Sequence, residues 1–132
     1  MSPRFDAIGI VVSDMGATLA FYRLLGLSFP ENAEDAGHVE AELPGGTRLM
    51  FDTEDVVRSF DPTFEPPSGT TRIGLAFLCE SPDEVDRVYD TMCEAGHRSE
   101  REPFDAFWGQ RYATVLDPDG NGVDLFAAIK GA

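Results

Sequence analysis

The feature that most limits how this chain can fold is a pattern written twice. Residues 5–12, FDAIGIVV, are apolar and β-branched, long enough for a strand and too short for a helix. Ser13 or Asp14 can cap a helix that follows, in which Met15, Leu19 and Tyr22 share one face and Gly26 is the stop. Three strand candidates come next: LSFP (27–30), HVEAEL (38–43) and TRLMFDT (47–53), the last two joined at Pro44-Gly45-Gly46. The second half repeats the order. RIGLAFLC (72–79) reads as a strand, and Ser81-Pro82-Asp83-Glu84 is a capping box with proline at the first helical position. Val85, Val88, Tyr89, Met92 and Cys93 form an apolar stripe ended by Gly96, and strand candidates follow at 97–101, 110–116 and 122–128. The turn Asp117-Pro118-Asp119-Gly120-Asn121 joins the last two, its glycine and asparagine suited to positive φ.

Placing Tyr22 on Tyr89 sets an offset of 67 (89 less 22), which also puts Ile8 on Leu75, Ile10 on Phe77 and Asp14 on Ser81. Pattern repeats without identity, as an old duplication would leave it. The expected fold class is α+β, a single domain over 1–132 made of two tandem βαβββ modules, 1–53 and 71–132. The linker, 54–70, holds three of the nine prolines together with Phe60 and Phe64. One helix covers only one face of a four-stranded sheet, so the other face must meet a ligand, a second chain or the other module. Function is expected there.

At 132 residues and 42% hydrophobic content, the chain has the length and composition of one globular domain. Such a chain buries roughly two-thirds of its extended surface without needing disulfides or metal. No run approaches the ~20 apolar residues of a membrane span, and the N-terminus lacks a basic segment followed by an apolar one, so a cytoplasmic location is expected. Cys79 and Cys93 sit in apolar patterns without CxxC spacing and are expected to be reduced. The 24 acidic against 10 basic residues give a net charge of −14. Such a field disfavours nucleic acid and anionic membranes and would attract a cationic small molecule; a solubility or salt-adapted surface gives the same excess.

Together, IGIVVSDMGATLAFYRLLGL at the start and WGQRYATVLDPDGNGVDLF at the end resemble the glyoxalase, bleomycin-resistance and extradiol-dioxygenase superfamily, the vicinal oxygen chelate proteins. The closing motif is typical of the bleomycin-resistance-like branch. The resemblance implies a homodimer and, in the enzymes of the superfamily, a divalent metal held by His or Gln on first strands and Glu on last strands. Here those positions fall on Ala7, Met50, Gly74 and Asp124. Alanine and glycine offer no side-chain donor and a thioether grips hard ions poorly, so only Asp124 is a strong ligand. A two-residue register slip, the smallest that keeps strand parity, reaches Phe5, Gly9, Arg72 or Ala76 and rescues nothing. No metal and no cofactor are expected.

Other groups carry weaker signals. His38, Glu40 and Glu42 alternate on one strand, as a solvated edge strand or a metal site at an unusual place would have them. His97 follows the helix stop, where histidine can satisfy the last carbonyls. Spacing suggests no Ser-His-Asp or Cys-His set, and no phosphate loop is present. Phe104, Phe107, Trp108 and Tyr112 gather beside Asp105, a composition suited to planar or cationic ligands and also to sealing a core or a dimer contact. Bleomycin-binding relatives carry a similar Trp-Gly segment near their drug groove. Arg111 is expected to pair with a turn carboxylate, Asp117 or Asp119.

The expected function is metal-free binding of a small aromatic or cationic compound, such as a bleomycin-type antibiotic. The ligand-contacting residues are expected to be Trp108, Phe107, Tyr112, Asp124, Met50 and His38. The alternatives are a metal-dependent lyase, isomerase or dioxygenase recruiting His38 and Glu42, and a sheet face used only for protein contact.

Overall fold

The computed structural model describes residues 3–68 and 73–130. Among them, seven strands and three α-helices divide into two compact units at Pro67 and Ser68. Both units are α+β with mixed sheets.

In the first unit, β1 (Ala7–Val12), β3 (Arg48–Thr53) and β2 (His38–Glu42) form a sheet in the order β1-β3-β2, with β1 parallel and β2 antiparallel to β3. Helix α1 (Met15–Leu24) starts where Asp14 accepts the amide of Ala17 at 3.1 Å. It ends where Gly26 takes φ +95 and the amides of Gly26 and Leu27 return to the carbonyls of Arg23 and Tyr22. Period-two burial in the strands and period-3.6 burial in α1 bring Val12, Met15, Leu19, Phe21, Tyr22, Val39, Leu49 and Phe51 into one core.

Two expectations for this unit need correction. Residues 27–30 form no strand, so the sheet has three strands and the unit lacks the fourth of a βαβββ module. The segment is held through side chains instead. Phe29 lies against Phe51 with ring centroids 5.9 Å apart, and Arg23 sits over Phe29 while donating to the carbonyl of Pro30 at 3.2 Å. Proline also removes an amide that a strand would need. In addition, the segment read as a linker opens with a helix, α2 (Glu54–Phe60), capped by Thr53 and complete before Pro62. Helix α2 lies so close to the start of β2 that a Cβ on Gly37 would run into Val56 Cγ2. A side chain there would have to displace Val56.

The second unit has the full pattern. Strands β4 (Leu75–Leu78), β7 (Gly122–Ala128), β6 (Gln110–Leu116) and β5 (Arg98–Ala106) form a sheet in the order β4-β7-β6-β5, with β4 parallel to β7 and the other pairs antiparallel. Arg72, the first residue of the expected strand 72–79, lies outside the described residues. Helix α3 (Pro82–Glu94) is capped by Ser81, whose hydroxyl accepts the amide of Glu84. The box differs in one detail: the Glu84 carboxylate reaches back to the amide of Glu80, one residue before the cap. Helix α3 packs on β5, β6 and β7, burying Val85, Tyr89 and Met92 against Ala113, Val115, Val123 and Leu125. Its end repeats that of α1, with Gly96 at φ +93 and the amide of His97 on the carbonyl of Met92. At 13 residues against 10, α3 is longer, so the 67-residue offset holds at the helix starts and fails beyond.

Strand β5 runs to Ala106, further than the expected 97–101, because the aromatic segment joins the ladder with β6. Cys79 is buried and Cys93 half-buried, and both are free thiols. Among the described residues no helix is long and apolar enough to cross a membrane.

Candidate functional site

Strand parity in the second unit sends one set of side chains under α3 and the other to the helix-free face. Register fixes that second set in two rows. Across the first run Arg101 of β5, Thr114 of β6, Asp124 of β7 and Ala76 of β4. Across the second run Phe104, Tyr112, Phe126 and Leu78. A polar row therefore lies beside an aromatic one. The β5 ladder is irregular between Arg101 and Phe104, which lets residues three apart in sequence share the face.

Asp124 is the centre of the polar row. Tyr112 donates its hydroxyl to Asp124 Oδ2, and Thr114 donates to Asp124 Oδ1 at 2.7 Å. Thr114 is buried and in turn accepts from Arg101 Nη1 at 3.1 Å. Burial, followed by the hydrogen bond to Asp124 and the charge of that carboxylate, pushes the Tyr112 phenol up to about 12. It is a fixed donor at neutral pH. The carboxylate thus has two uncharged donors and, among the described residues, no direct cationic partner.

Aromatic rings rise from this floor toward the β5–β6 hairpin. Phe104 meets Tyr112 and Trp108 edge to face, with centroids 6.2 and 6.3 Å apart, and Trp108 meets Tyr112 at 5.5 Å. Trp108 is oriented by a 2.8 Å hydrogen bond from its indole to Gln110 Oε1, yet stays 50% exposed. Phe107, at the tip, touches Trp108 and is 97% exposed. Trp108, Phe107, Tyr112 and Asp124 are thereby brought into one cluster.

Arg111 lies on the opposite face and corrects an expectation. It pairs with Asp86 of α3 at 3.0 Å and Asp105 of β5 at 3.1 Å, not with the turn carboxylates Asp117 or Asp119. Parity requires this: Arg111 is one residue from Tyr112 and so faces α3. Asp117 accepts instead from the amides of Asp119 and Asn121 and from the Asn121 side chain, closing its own turn.

Met50 and His38 belong to the first unit, on the face of its sheet away from Phe51. There the His38 ring bridges two carboxylates, Nδ1 to Asp52 at 2.6 Å and Nε2 to Glu40 at 2.8 Å. Glu40 also accepts from Arg48, which reaches Asp6. Both ring nitrogens are engaged by Asp52 and Glu40, while Glu42 stands further along the same face, opposite Arg48 in the ladder.

Hydrogen bonds from the His38 ring to the carboxylates of Glu40 and then Asp52 raise its pKa above the usual 6.5. A group with a raised folded pKa contributes its full stability below 6.5 and loses it as pH rises through the higher folded value. Stability is therefore expected to fall between pH 6.5 and that value, by at most about 1 kcal/mol because solvent screens so exposed a pair. Urea melts from pH 5 to 9 would show the step in the wild type and its loss in His38→Gln. A flat profile in both would rule it out.

The positions at which the superfamily's enzymes hold a metal fit no divalent ion here. On the parallel strands the partners of Met50 and Asp124 are Gly9 and Ala76, neither with a donor; Glu40, the other partner of Met50, is engaged by His38 and Arg48, and both Asp124 oxygens already accept hydroxyls. Among the described residues no three His, Cys, Asp or Glu side chains gather in a way that would hold a metal ion.

Two mixed sheets, each with its first strand parallel to its last and one face left free of the helix, define a glyoxalase-like fold. The family model of the Glyoxalase/Bleomycin resistance protein/Dioxygenase superfamily matches residues 4–125, and the chain belongs to that superfamily. Solved structures agree. One described as a glyoxalase/bleomycin resistance protein/dioxygenase from Nocardioides is 26% identical with a TM-score of 0.75, over 100% of this chain and 87% of its own. A family enzyme from Burkholderia phytofirmans is similar in fold at 19% identity and a TM-score of 0.81, over 96% and 100%. A glyoxalase-related enzyme from Fulvimarina pelagi has a TM-score of 0.78 at 18% identity, over 94% and 87%. No curated protein matches.

Proposed function

We propose that the protein binds a small aromatic cation without a metal, on the helix-free face of the second sheet. One observation carries this reading. Asp124, a carboxylate with only hydroxyl donors among the described residues, lies beside a ring cluster in which Phe104, Phe107 and Trp108 are exposed. Cation on carboxylate and ring on ring is the complement of such a surface. Binding of this kind sequesters by mass action, with no bond made or broken. A bleomycin-type antibiotic is the most concrete candidate, and the acidic excess would draw such a cation in from a distance.

The test is calorimetric titration of protein treated with chelator, using metal-free bleomycin and the planar cation ethidium. Binding is expected in chelator, and Trp108→Ala is expected to weaken it about tenfold by removing the stacking surface. Stoichiometric zinc, manganese or iron required for binding would overturn the reading. Unchanged affinity in Trp108→Ala would remove the indole from the site.

A further inference from the structure

The polar row has a second charge, and that charge narrows the ligand class. We infer that the ligand is an aromatic zwitterion, its cationic group on Asp124 and an acidic group on Arg101. The inference rests on the reading that this face binds an aromatic cation, and it adds the anionic half.

Arg101 and Asp124 stand on either side of Thr114, two hydrogen bonds apart at 3.1 and 2.7 Å. The buried hydroxyl is used twice, accepting from the guanidinium and donating to the carboxylate, so it holds the two charges near each other without direct contact. Arg101 Nη1 meets one carboxylate oxygen, that of Glu100 at 3.4 Å, a long contact. Nη2 and Nε have no protein acceptor among the described residues. The contrast with Arg111 is informative: that guanidinium is gripped by Asp86 and Asp105 under α3 and has a structural task. Arg101 is instead half-exposed on the face with the rings.

Separated charges of opposite sign suit a ligand whose own charges are reversed and similarly close, as in an ammonium and a carboxylate on one carbon. Each then forms a charge-assisted hydrogen bond. The irregular β5 ladder puts Phe104 next to Arg101 on this face, so a ring joined to that carbon reaches Phe104, Tyr112 and Trp108. A net charge of −14 repels simple anions at long range, so an acidic group is admitted only with a cation beside it.

Three indoles whose side chains carry an ammonium, a carboxylate or both supply the test: tryptamine, indole-3-propionate and tryptophan. By calorimetry of the whole chain, tryptophan is expected to bind about tenfold more tightly than either of the others. In Arg101→Gln the ratio of tryptophan to tryptamine affinity is expected to fall to about one, and Arg101→Lys, which keeps charge but not the fork, to fall between. Tryptamine binding as tightly as tryptophan, or an unchanged ratio in Arg101→Gln, overturns the zwitterion and leaves the cation reading standing. If no indole binds at millimolar concentration, the zwitterion is overturned, and titration with ethidium and bleomycin alone decides the cation reading.

Discussion

Asp124→Asn is expected to weaken binding of a cationic aromatic ligand by roughly 10- to 150-fold, the worth of one charge-assisted hydrogen bond. The substitution keeps volume and shape, and the hydroxyls of Thr114 and Tyr112 can each turn to accept where they now donate, so the sheet is expected to fold. A second readout needs no ligand. Tyr112 is pushed up to about 12 first by burial and then by its bond to Asp124 and that residue's charge. Removing the carboxylate is expected to bring the phenol down toward the ordinary 10 without reaching it, since burial remains. Tyr22, Tyr89 and Tyr112 are the three tyrosines, so the difference in ultraviolet titration between Asp124→Asn and wild type isolates one phenol. Undiminished affinity together with a lowered phenol pKa would show that Asp124 shapes the face without holding the cation.

The fold was legible in the sequence wherever burial had a period. β-Branched runs gave β1 and β4, and the Ser81 box and the two glycine stops gave α1 and α3 nearly to the residue. The misses have a common physical form. LSFP has strand composition, but Phe29 is spent as an anchor on Phe51 and Pro30 has no amide, so side-chain packing overrides ladder pairing. In Glu54–Phe60 the prolines that follow mask a helix start, Thr53 followed by Glu54 and Asp55.

Of the candidate site, the sequence showed the members and not the rows. Asp124 and the aromatic segment stood out by chemistry, whereas Thr114, Arg101 and Phe126 become visible only through register. Parity counted back from Asp124 through the Asp117–Asn121 turn would have placed Thr114 opposite it. Arg101 was hidden by the irregular β5 ladder, which no period-two count survives. The same parity would have turned Arg111 toward α3. Met50 and His38 are the reverse case, one standing at a position of the family pattern and the other alternating with Glu40 and Glu42 on one strand; the His38 ring is engaged by Asp52 and Glu40.

The largest effect on stability is expected from Phe51→Ala. Phe51 is fully buried at the middle of β3, the central strand of the first sheet, and β3 pairs with both β1 and β2. Its ring lies 5.1 Å from that of Tyr22 on α1 and 5.9 Å from that of Phe29, so one side chain joins sheet, helix and the loop that replaces a strand. Truncation removes transfer energy and leaves a cavity that sheet and helix close only in part, costing ~3–5 kcal/mol. Against the ~5–15 kcal/mol of a typical domain, that is a large share of the total. Phe51→Leu, which restores most of the volume, is expected to cost less than about 1.5 kcal/mol. Urea denaturation followed by far-ultraviolet circular dichroism measures both. A loss below about 1 kcal/mol in Phe51→Ala would mean that the ring cluster, and with it the anchoring of residues 27–30, is not what holds the first unit together.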